Sequence, residues 1–372
     1  MKELEERRAL MRAALRAGRW DEVASRYQQA DEIVRQDAQL RDMLAYALFM
    51  SGKYSELLSI EGIDRDGRMW VISEDLVGKD LAKKPHLIWY GPPCPQVAYV
   101  SMIKDEEDIV YLNLLWHYSL GFRRFVLVDN ASTDGTRSEI DRFAGAFRDC
   151  VVIVISDPIV GHLQSEFITA AFRTACSVWP DVSWVFPIDG DEFLCAERPL
   201  ARVLAEVPES ANALLLAKSQ YSATREFYPA EKTLPLHRRL RHREPLTHNS
   251  SKVVVRSRPV LEVGQGNHMV MFQKQDIKSY MGGLKLGLHY REYFLRSQEH
   301  TRSKVINGGR AIEAAESMGK KGVGGDHWKI WYRIYQEQGE GAIATIFESH
   351  FRSARDLIDD PLPLGAALSR WG

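Results

Sequence analysis

The sequence predicts a mixed α/β protein, with a mainly parallel sheet flanked by helices, a small all-α unit before it and a helical extension after it. Three observations predict this class. Apolar segments of strand length at 97–103, 125–128 and 184–188 each run directly into polar residues, and helical patterning lies between them. The first sixty residues contain two matching helical units, and a proline-rich stretch separates these units from the strands. We therefore divide the chain into a helical unit at 1–78, a linker at 79–96, a sheet domain at 97–310 and a helical extension at 311–372.

The N-terminal helical unit contains a sequence repeat. Gly18-Arg19-Trp20 recurs as Gly52-Lys53-Tyr54, an offset of 34 residues, which is the period of the tetratricopeptide repeat. Each glycine would turn the chain between antiparallel helices, and each aromatic would pack between them. Two units are too few for a free-standing solenoid, so they should pack on the sheet domain or on a protein partner. The alternative is an ordinary helical bundle in which two turns happen to match.

Polar residues follow each of the predicted strands. The first strand leads into a charged run from Lys104 to Asp108, which could cap and begin a helix that ends near Ser119. The second strand leads into Asp129 and Asn130. Because ligands bind at the carboxyl edge of an open parallel sheet, these side chains predict a ligand site there.

The third strand ends in Asp189-Gly190-Asp191. Alternation along an extended chain puts Asp189 and Asp191 on one side and turns Glu192 to the other. Carboxylates are ligands for Mg²⁺ or Mn²⁺, which commonly bridge protein to phosphate oxygens. The segment therefore predicts a divalent metal site, with a strand followed by an acidic turn as the alternative.

Four blocks of the chain, in order, form one pattern. They are Lys104-Asp105-Glu106 with His117 and Gly121; the run from Val128 to Thr136; the run from Ile188 to Phe193; and the later set Lys252 to Arg256, His268, His289-Tyr290, Arg296 to Glu299 and Lys304. The pattern resembles the family 2 glycosyltransferases, in the bacterial branch that is also similar to family 92. The resemblance covers more than half of the chain, and it implies a GT-A-like fold and a metal-dependent, inverting transfer of a sugar from a nucleotide-sugar donor.

The resemblance also implies roles for single residues. Asp191 would be the first metal ligand and a catalytic residue, and Asp189 would share the Mn²⁺ or Mg²⁺ ion or bind the ribose. A late histidine would be a third ligand, with His289 preferred over His268. The general base is not identified, and Asp326 is a candidate for it. The residues expected to contact the donor are Lys104, Glu106, Asp129, Asn130, Asp189, Lys252 and Arg296; for Asp129, capping of the next helix is the structural alternative.

Composition restricts the partners. The formal net charge is −1 with 27% charged residues, which argues against nucleic acid. The four cysteines lack metal-site spacing, and we expect them to be reduced. No apolar run is long enough to span a membrane, and the N-terminus lacks the apolar core of a signal peptide. We expect a cytoplasmic enzyme, or one peripheral at the inner membrane. By resemblance its acceptor would be a saccharide or a lipid-linked molecule in surface or exopolysaccharide synthesis.

The C-terminal part predicts helices after two breaks. Gly308-Gly309 and the glycines at 322–325 interrupt the chain, and helical patterning then runs from 327 to about 355. Aromatic residues at helical spacing there, from Trp328 to Tyr335, predict core packing. Two other functions stay open for the whole chain: a nucleotidyltransferase on a related fold, and a catalytically inactive nucleotide-sugar or protein-binding module.

Overall fold

The structure, a computed structural model, describes residues 2–30, 36–51, 53–63, 68–77, 91–159, 161, 163–228, 232–319 and 325–364, without the side chains of residues 2, 3, 248, 249 and 326. The N-terminal unit is helical. Its helices are α1 (Lys2–Arg16), α2 (Trp20–Gln28), α3 (Ala38–Met50), α4 (Tyr54–Leu58) and α5 (Arg68–Leu76). Gly18 turns the chain between α1 and α2 with a φ of 67°, which favours glycine. The two aromatics matched by the repeat, Trp20 and Tyr54, each begin a helix, while Gly52 and most of the predicted linker lie outside the described residues. The tetratricopeptide-like assignment stays a prediction.

Helix α5 packs the N-terminal unit against the sheet. Its residues Val71, Ile72 and Leu76 belong to the same apolar cluster as the strands. The fully buried Asp75 accepts hydrogen bonds from the backbone N–H groups of Leu284 (3.0 Å) and Lys285 (2.9 Å). The helical unit therefore packs on the sheet domain, which was the first of the two options left open by the sequence.

We expect Asp75→Ala to lower the free energy of unfolding by about 1.5 to 3 kcal/mol, because it leaves two backbone donors next to an emptied buried site. The neighbouring Glu74 pairs with Lys285 at the surface, where such pairs contribute about 0 to 1 kcal/mol. Glu74→Ala is therefore the matched control. Urea unfolding of both variants measures the difference, and equal losses would mean that the Asp75 contact does not stabilise the interface.

The central sheet is built from nine of the described strands. They are β1 (Val97–Ile103), β2 (Arg124–Asp129), β3 (Val151–Ser156), β4 (Trp184–Pro187), β5 (Glu192–Ala196), β6 (Ala213–Gln220), β8 (Thr247–Arg256), β12 (Tyr280–Gly282) and β13 (Leu288–Glu292). Shorter strands outside this sheet are β7 (His242–Arg243), β9 (Glu262–Val263), β10 (Val270–Phe272), β11 (Gln275–Asp276) and β14 (Ile358–Asp359).

The sheet contains both parallel and antiparallel pairs, with the parallel ones in the majority. Its strands run in the order β3-β2-β1-β4-β8-β6-β13-β5, and β12 pairs with β6. Parallel pairing joins β1 to β2 and β4, β2 to β3, and β6 to β12 and β13, whereas β8 and β5 are antiparallel to their neighbours.

Helices cover both faces of this sheet. Along β1, Val97 and Tyr99 belong to one apolar core and Ala98 and Val100 to the other, so the strand is buried on both sides. This is why β1 is a continuous apolar run in the sequence. The remaining helices are α6 (Val110–Ser119), α7 (Thr136–Ala146), α8 (Gln164–Val178), α9 (Leu200–Ala205), α10 (Leu236–Arg239), α11 (Gln298–Ser317), α12 (Asp326–Gln338) and α13 (Glu340–Ser349). The predicted fold class, a mainly parallel mixed sheet flanked by helices with an all-α N-terminal unit and a helical C-terminal extension, is confirmed.

The predicted helix break at Gly308-Gly309 is wrong. Helix α11 runs through both glycines and across the predicted domain boundary at 310. A Cβ atom on Gly308 would lie 2.8 Å from Trp328, and one on Gly309 would lie 2.1 Å from Tyr332. The glycines therefore let α12 approach α11 closely instead of ending the helix. The helical patterning predicted from 327 to about 355 corresponds to two helices, α12 and α13, which are separated at Gly339 with a φ of 69°.

The first helix of the sheet domain begins later than predicted. Asp105 has a φ of 50°, outside the helical region, and the backbone N–H groups of Asp105 and Glu106 donate to Ser132 (3.1 Å) and Thr136 (2.7 Å). The charged run is therefore a loop, and α6 starts only at Val110.

Within the part of the chain that the structure describes, none of the helices combines the length and the apolar composition that a membrane span requires.

Candidate functional site

A cavity of about 660 Å³ lies at the carboxyl ends of β1, β2 and β4. Since these strands are parallel neighbours, the loops after them meet at one edge of the sheet. The cavity is lined by charged side chains of both signs. They are the four lysines Lys104, Lys218, Lys252 and Lys304 and the five carboxylates of Asp105, Glu106, Asp189, Asp191 and Glu292.

Both carboxylate oxygens of Asp189 are engaged by protein donors. Its Oδ1 accepts hydrogen bonds from Gln164 Nε2 and Asn267 Nδ2, both at 2.9 Å, and its Oδ2 accepts one from Lys252 Nζ at 2.5 Å. Gln164 begins α8, and Asn267 sits in a tight turn with a φ of 58°. Neither amide belongs to a recognisable sequence pattern, although Gly266 indicates a turn next to Asn267.

Lys252 is shared between two carboxylates. Besides Asp189, its Nζ contacts Glu192 Oε1 at 3.0 Å and donates to the carbonyl of Gly266 at 2.8 Å. Burial lowers the pKa of this lysine, but the charges of Asp189 and Glu192 outweigh burial and leave the pKa above its ordinary value. Lys252 is therefore a charged ammonium in a buried position, 4% exposed.

The predicted orientation of Glu192 is wrong. The chain turns after Asp189, so alternation does not apply, and Glu192 Oε2 accepts the backbone N–H of Asp189 at 3.2 Å. Glu192 is fully buried. Burial raises the pKa of its carboxyl well above the ordinary value, and Lys252 acts against that rise.

Asp191 is paired with a lysine from the helix that follows the sheet. Lys304 Nζ donates to Asp191 Oδ2 and also lies 3.5 Å from Glu106 Oε1. Burial lowers the pKa of Lys304, but the negative charges of Asp191 and Glu106 raise it by more, so the pKa is above its ordinary value. Lys304, Asn307, Gly308 and Ala311 have the spacing of one helical face, and all four line the cavity.

Arg296 supports the cavity from outside it. The guanidinium is fully buried, does not line the cavity, and donates to Glu106 Oε2, to both oxygens of Asp108 (2.7 and 2.9 Å) and to the carbonyl of Tyr293 (3.3 Å). Its donors therefore hold two carboxylates in place. Arg296 is thus not brought to the cavity, and the donor contact that the resemblance implied for it stays a prediction.

Asn113 fixes the loop between the two aspartates. Its Nδ2 donates to the carbonyls of Gly190 (3.0 Å) and Glu192 (2.7 Å), and its Oδ1 accepts from the hydroxyl of Tyr99 (2.9 Å). All three of its contacts are buried. A fully buried amide that bridges α6 and this loop limits how far Asp189 and Asp191 can move apart.

The loops after β1 and β2 are tied to each other. Lys104 Nζ donates to the carbonyls of Asn130 (2.9 Å) and Ala131 (2.8 Å). Asn130 lines the cavity and donates to Asp157 and to the carbonyl of Ile159. The cavity therefore brings together six of the predicted site residues. They are Lys104, Glu106, Asn130, Asp189, Asp191 and Lys252.

Asp129 does not line this cavity. Its Oδ1 accepts the backbone N–H of Ser132 at 3.1 Å, so the observed contact stabilises the local turn. The nucleotide contact expected of Asp129 stays a prediction. Asp326 begins α12, and its side chain lies outside the described atoms, so its role as the base also stays a prediction.

The two predicted histidine ligands lie in different surroundings. His268 lines the cavity, and its Nδ1 lies 2.9 Å from the carbonyl of Ser251. Burial and the charge of Lys252 lower the pKa of His268 to about 4, so the ring is neutral near pH 7. His289 is fully buried in β13, three residues before the cavity-lining Glu292 and hence on the opposite face of the strand. The structure does not bring His289 to the cavity.

The donor atoms at the two aspartates do not fit a divalent ion in this arrangement. Asp189 uses both oxygens for amides and a lysine, and Asp191 gives one oxygen to Lys304. Within the described ranges, no group of three or more His, Cys, Asp or Glu side chains is placed to hold a metal ion. An ion at Asp191 would have to displace Lys304 or bind to one oxygen beside a positive charge.

One wall of the cavity is aromatic. Phe294, His327 and Trp328 line it, and the ring centroids of Phe294 and Trp328 lie 5.6 Å apart. Trp331 and Tyr332, further along α12, pack instead on the apolar cluster around Val305. The predicted stripe therefore divides between core packing and the cavity surface.

Fold and site together define an α/β protein with a charged, ligand-sized cavity at the carboxyl edge of its sheet. No protein-family model and no curated protein sequence matches the chain. Among solved structures, it is similar to a mannosyltransferase from Pyrobaculum calidifontis in complex with GDP-Man and Mn²⁺, at 15% identity over 89% of this chain and 90% of that chain, with a TM-score of 0.36. It is also similar to glucosyl-3-phosphoglycerate synthase from Mycobacterium tuberculosis in complex with phosphoglyceric acid (11% identity, 59% and 78% of the two chains, TM-score 0.29) and to HddC from Yersinia pseudotuberculosis (11%, 43% and 76%, TM-score 0.27). TM-scores this low do not establish a shared fold, and these similarities therefore assign no function to this chain.

Proposed function

We propose that the protein is a glycosyltransferase that moves a sugar from a nucleotide-sugar donor to a hydroxyl acceptor. The observation that carries the proposal is the cavity itself, where four lysines and five carboxylates meet at the carboxyl edge of the sheet. Lysine ammonium groups suit a diphosphate, and carboxylates and amides suit the hydroxyl groups of a sugar. The volume of about 660 Å³ falls within the usual range of about 300 to 1,000 Å³ for ligand sites.

The reaction we propose is a single displacement with inversion, as the sequence resemblance implies. The acceptor oxygen forms a bond to the anomeric carbon while the bond to the diphosphate oxygen breaks and its electron pair leaves with the nucleoside diphosphate. The acceptor proton passes to a base. The charge that develops on the diphosphate is the main electrostatic requirement of the transition state.

The aromatic wall is the feature that fits the acceptor. Phe294 and Trp328 present apolar ring surface inside a cavity that is also lined by charged side chains. Sugar rings combine such apolar faces with polar hydroxyl groups, so a saccharide, free or lipid-linked, fits this wall. A role in surface or exopolysaccharide synthesis belongs to the same proposal and rests on the sequence resemblance.

A binding panel followed by product analysis tests the function. Nucleoside diphosphates and nucleotide sugars are added with EDTA or with Mn²⁺, and we expect at least one to raise the melting temperature by mass action. The nucleotide sugar that binds is then incubated with saccharide acceptors. We expect an α-linked donor to give a β-linked product, detected by NMR of the anomeric proton.

Other outcomes would contradict parts of the proposal. Release of pyrophosphate from a nucleoside triphosphate and a sugar phosphate would identify a nucleotidyltransferase. Binding with neither transfer nor hydrolysis would identify an inactive binding module. Retention of the anomeric configuration would contradict the single displacement.

A further inference from the structure

Asp191, the residue predicted to be the first metal ligand, is paired with a lysine. Lys304 Nζ lies between Asp191 Oδ2, to which it donates, and Glu106 Oε1 at 3.5 Å. These two carboxylates come from loops that follow different strands, β4 and β1. The ammonium therefore neutralises Asp191, the residue expected to be the first metal ligand, together with a second carboxylate of the cavity.

Lys304 is also more accessible than two of the other cavity lysines. Its side chain is 20% exposed, against 14% for Lys218 and 4% for Lys252. Lys218 is paired with Glu292 at 2.8 Å, and Lys104 donates to two backbone carbonyls. Lys304 is therefore better placed to reach a ligand than Lys218 or Lys252.

The surroundings of Lys304 hold it in position. It lies on the second turn of α11, whose N-terminus is capped by the side chain of Ser297 accepting from the N–H of His300 at 3.1 Å. Its ammonium also lies 5.5 Å from the centre of the Phe294 ring, which favours a cation. Glu106 in turn is fixed by Arg296. The ammonium is thus oriented before any ligand arrives, which is the condition for electrostatic stabilisation without reorganisation.

We propose that Lys304, held by Asp191, takes the place of the divalent metal and neutralises the diphosphate of the donor. The inference rests on the proposed function. Lys304 contacts a phosphate oxygen through its N–H donors while Asp191 keeps the ammonium in place. The electron pair of the breaking bond stays on the diphosphate, next to this positive charge, and no metal ion enters the step. Asp191 is then a positioning residue for Lys304 instead of a metal ligand.

Titration calorimetry after treatment with EDTA tests the inference. The probe is whichever of UDP, GDP, ADP, CDP and dTDP raises the melting temperature of the wild-type protein most. We expect its affinity to be equal within twofold in EDTA and in Mn²⁺. In EDTA, we expect Lys304→Met to lower the affinity by at least tenfold and Lys304→Arg to keep most of it. Lys329→Met is the matched control, because Lys329 also pairs with a carboxylate, that of Glu316, but is exposed and lies outside the cavity. The affinity of this variant for the nucleotide should equal that of the wild type.

The outcomes separate this inference from the proposed function. Binding that is lost in EDTA and restored by Mn²⁺ would overturn the role of Lys304 and leave the proposed glycosyl transfer intact. Unchanged affinity of Lys304→Met in EDTA would overturn it as well. If none of the five nucleotides binds with or without Mn²⁺, both the function and the inference fail. Circular dichroism checks that the variants fold, and if Lys304→Met does not, the wild-type comparison of EDTA with Mn²⁺ decides alone.

Discussion

Arg296→Met is expected to lower the free energy of unfolding by about 3 to 5 kcal/mol, the cost of removing one partner from a buried ion pair. The guanidinium has no exposed surface and is bound to Glu106 and Asp108. Methionine fills much of the same space, but it leaves Glu106 buried without its strongest donor. Urea unfolding measures the loss. Nucleotide affinity should fall as well, because Glu106 would no longer be held beside Lys304.

Arg302→Met, six residues further along the chain in α11, is the control for this variant. Arg302 is 48% exposed and pairs with Glu340, which is 63% exposed, so its loss should cost at most about 1 kcal/mol. Equal effects of the two substitutions would show that Arg296 contributes no more than a surface pair.

The stability difference between wild type and Arg296→Met should also depend on pH. Burial raises the pKa of Asp108, but the charge and hydrogen bonds of Arg296 outweigh burial and leave the pKa below its ordinary value. A carboxyl whose pKa is lowered by folding contributes stability above its ordinary pKa, about 3.9, and that stability is lost as the pH falls through the folded-state pKa. The gap between wild type and variant should therefore narrow below about pH 4. A gap that widens on acidification would contradict the role given to Asp108.

Lys252→Met is the second large effect that we expect, again about 3 to 5 kcal/mol. Lys252 is the shared partner of Asp189 (2.5 Å) and Glu192 (3.0 Å), and it also holds the carbonyl of Gly266. Without it, two carboxylates face each other in a buried site, and the turn that carries Asn267 loses its anchor. Donor binding should be lost together with stability. Lys285→Met is the control, because Lys285 is 41% exposed and its glutamate partner is also at the surface.

A double-mutant cycle measures the interaction free energy between Lys252 and Glu192. Burial raises the pKa of Glu192 and Lys252 lowers it, so in Lys252→Met the pKa should rise further. A carboxyl whose pKa is raised by folding loses stability as the pH increases from its ordinary pKa, about 4.3, towards the folded-state pKa. The free energy of unfolding of Lys252→Met should thus fall more steeply with rising pH than that of the wild type. Adding Glu192→Gln should remove this slope, and the double variant should cost less than the sum of the two single ones by on the order of 0.5 to 3 kcal/mol. Strict additivity would mean that the two side chains are not coupled.

The sequence by itself determined three of the sheet strands, β1, β2 and β4, and the edge at which the polar residues after them meet. Val97–Ile103 matches its predicted bounds because a parallel strand buried on both faces must be apolar throughout. Asn130 and Asp189 were expected at one sheet edge because carboxyl ends of parallel neighbours coincide, and both line the cavity. These features follow from the local composition of each segment and from the spacing of its apolar residues, both of which can be read directly from the sequence.

Only the tertiary structure decided which cation accompanies each carboxylate. Lys252 reaches Asp189 from 63 residues away, and Lys304 reaches Asp191 from 113 residues away, so no local pattern relates them. The turn after Asp189 brought Glu192 to Lys252 against the expected alternation, because the backbone there is not extended. Gly308 and Gly309 stayed helical because the rings of Trp328 and Tyr332 pack where their side chains would be. In each case a contact between distant segments outweighed the local preference. Buried ion pairs and closely packed helices contribute free energy only when folding brings these segments together.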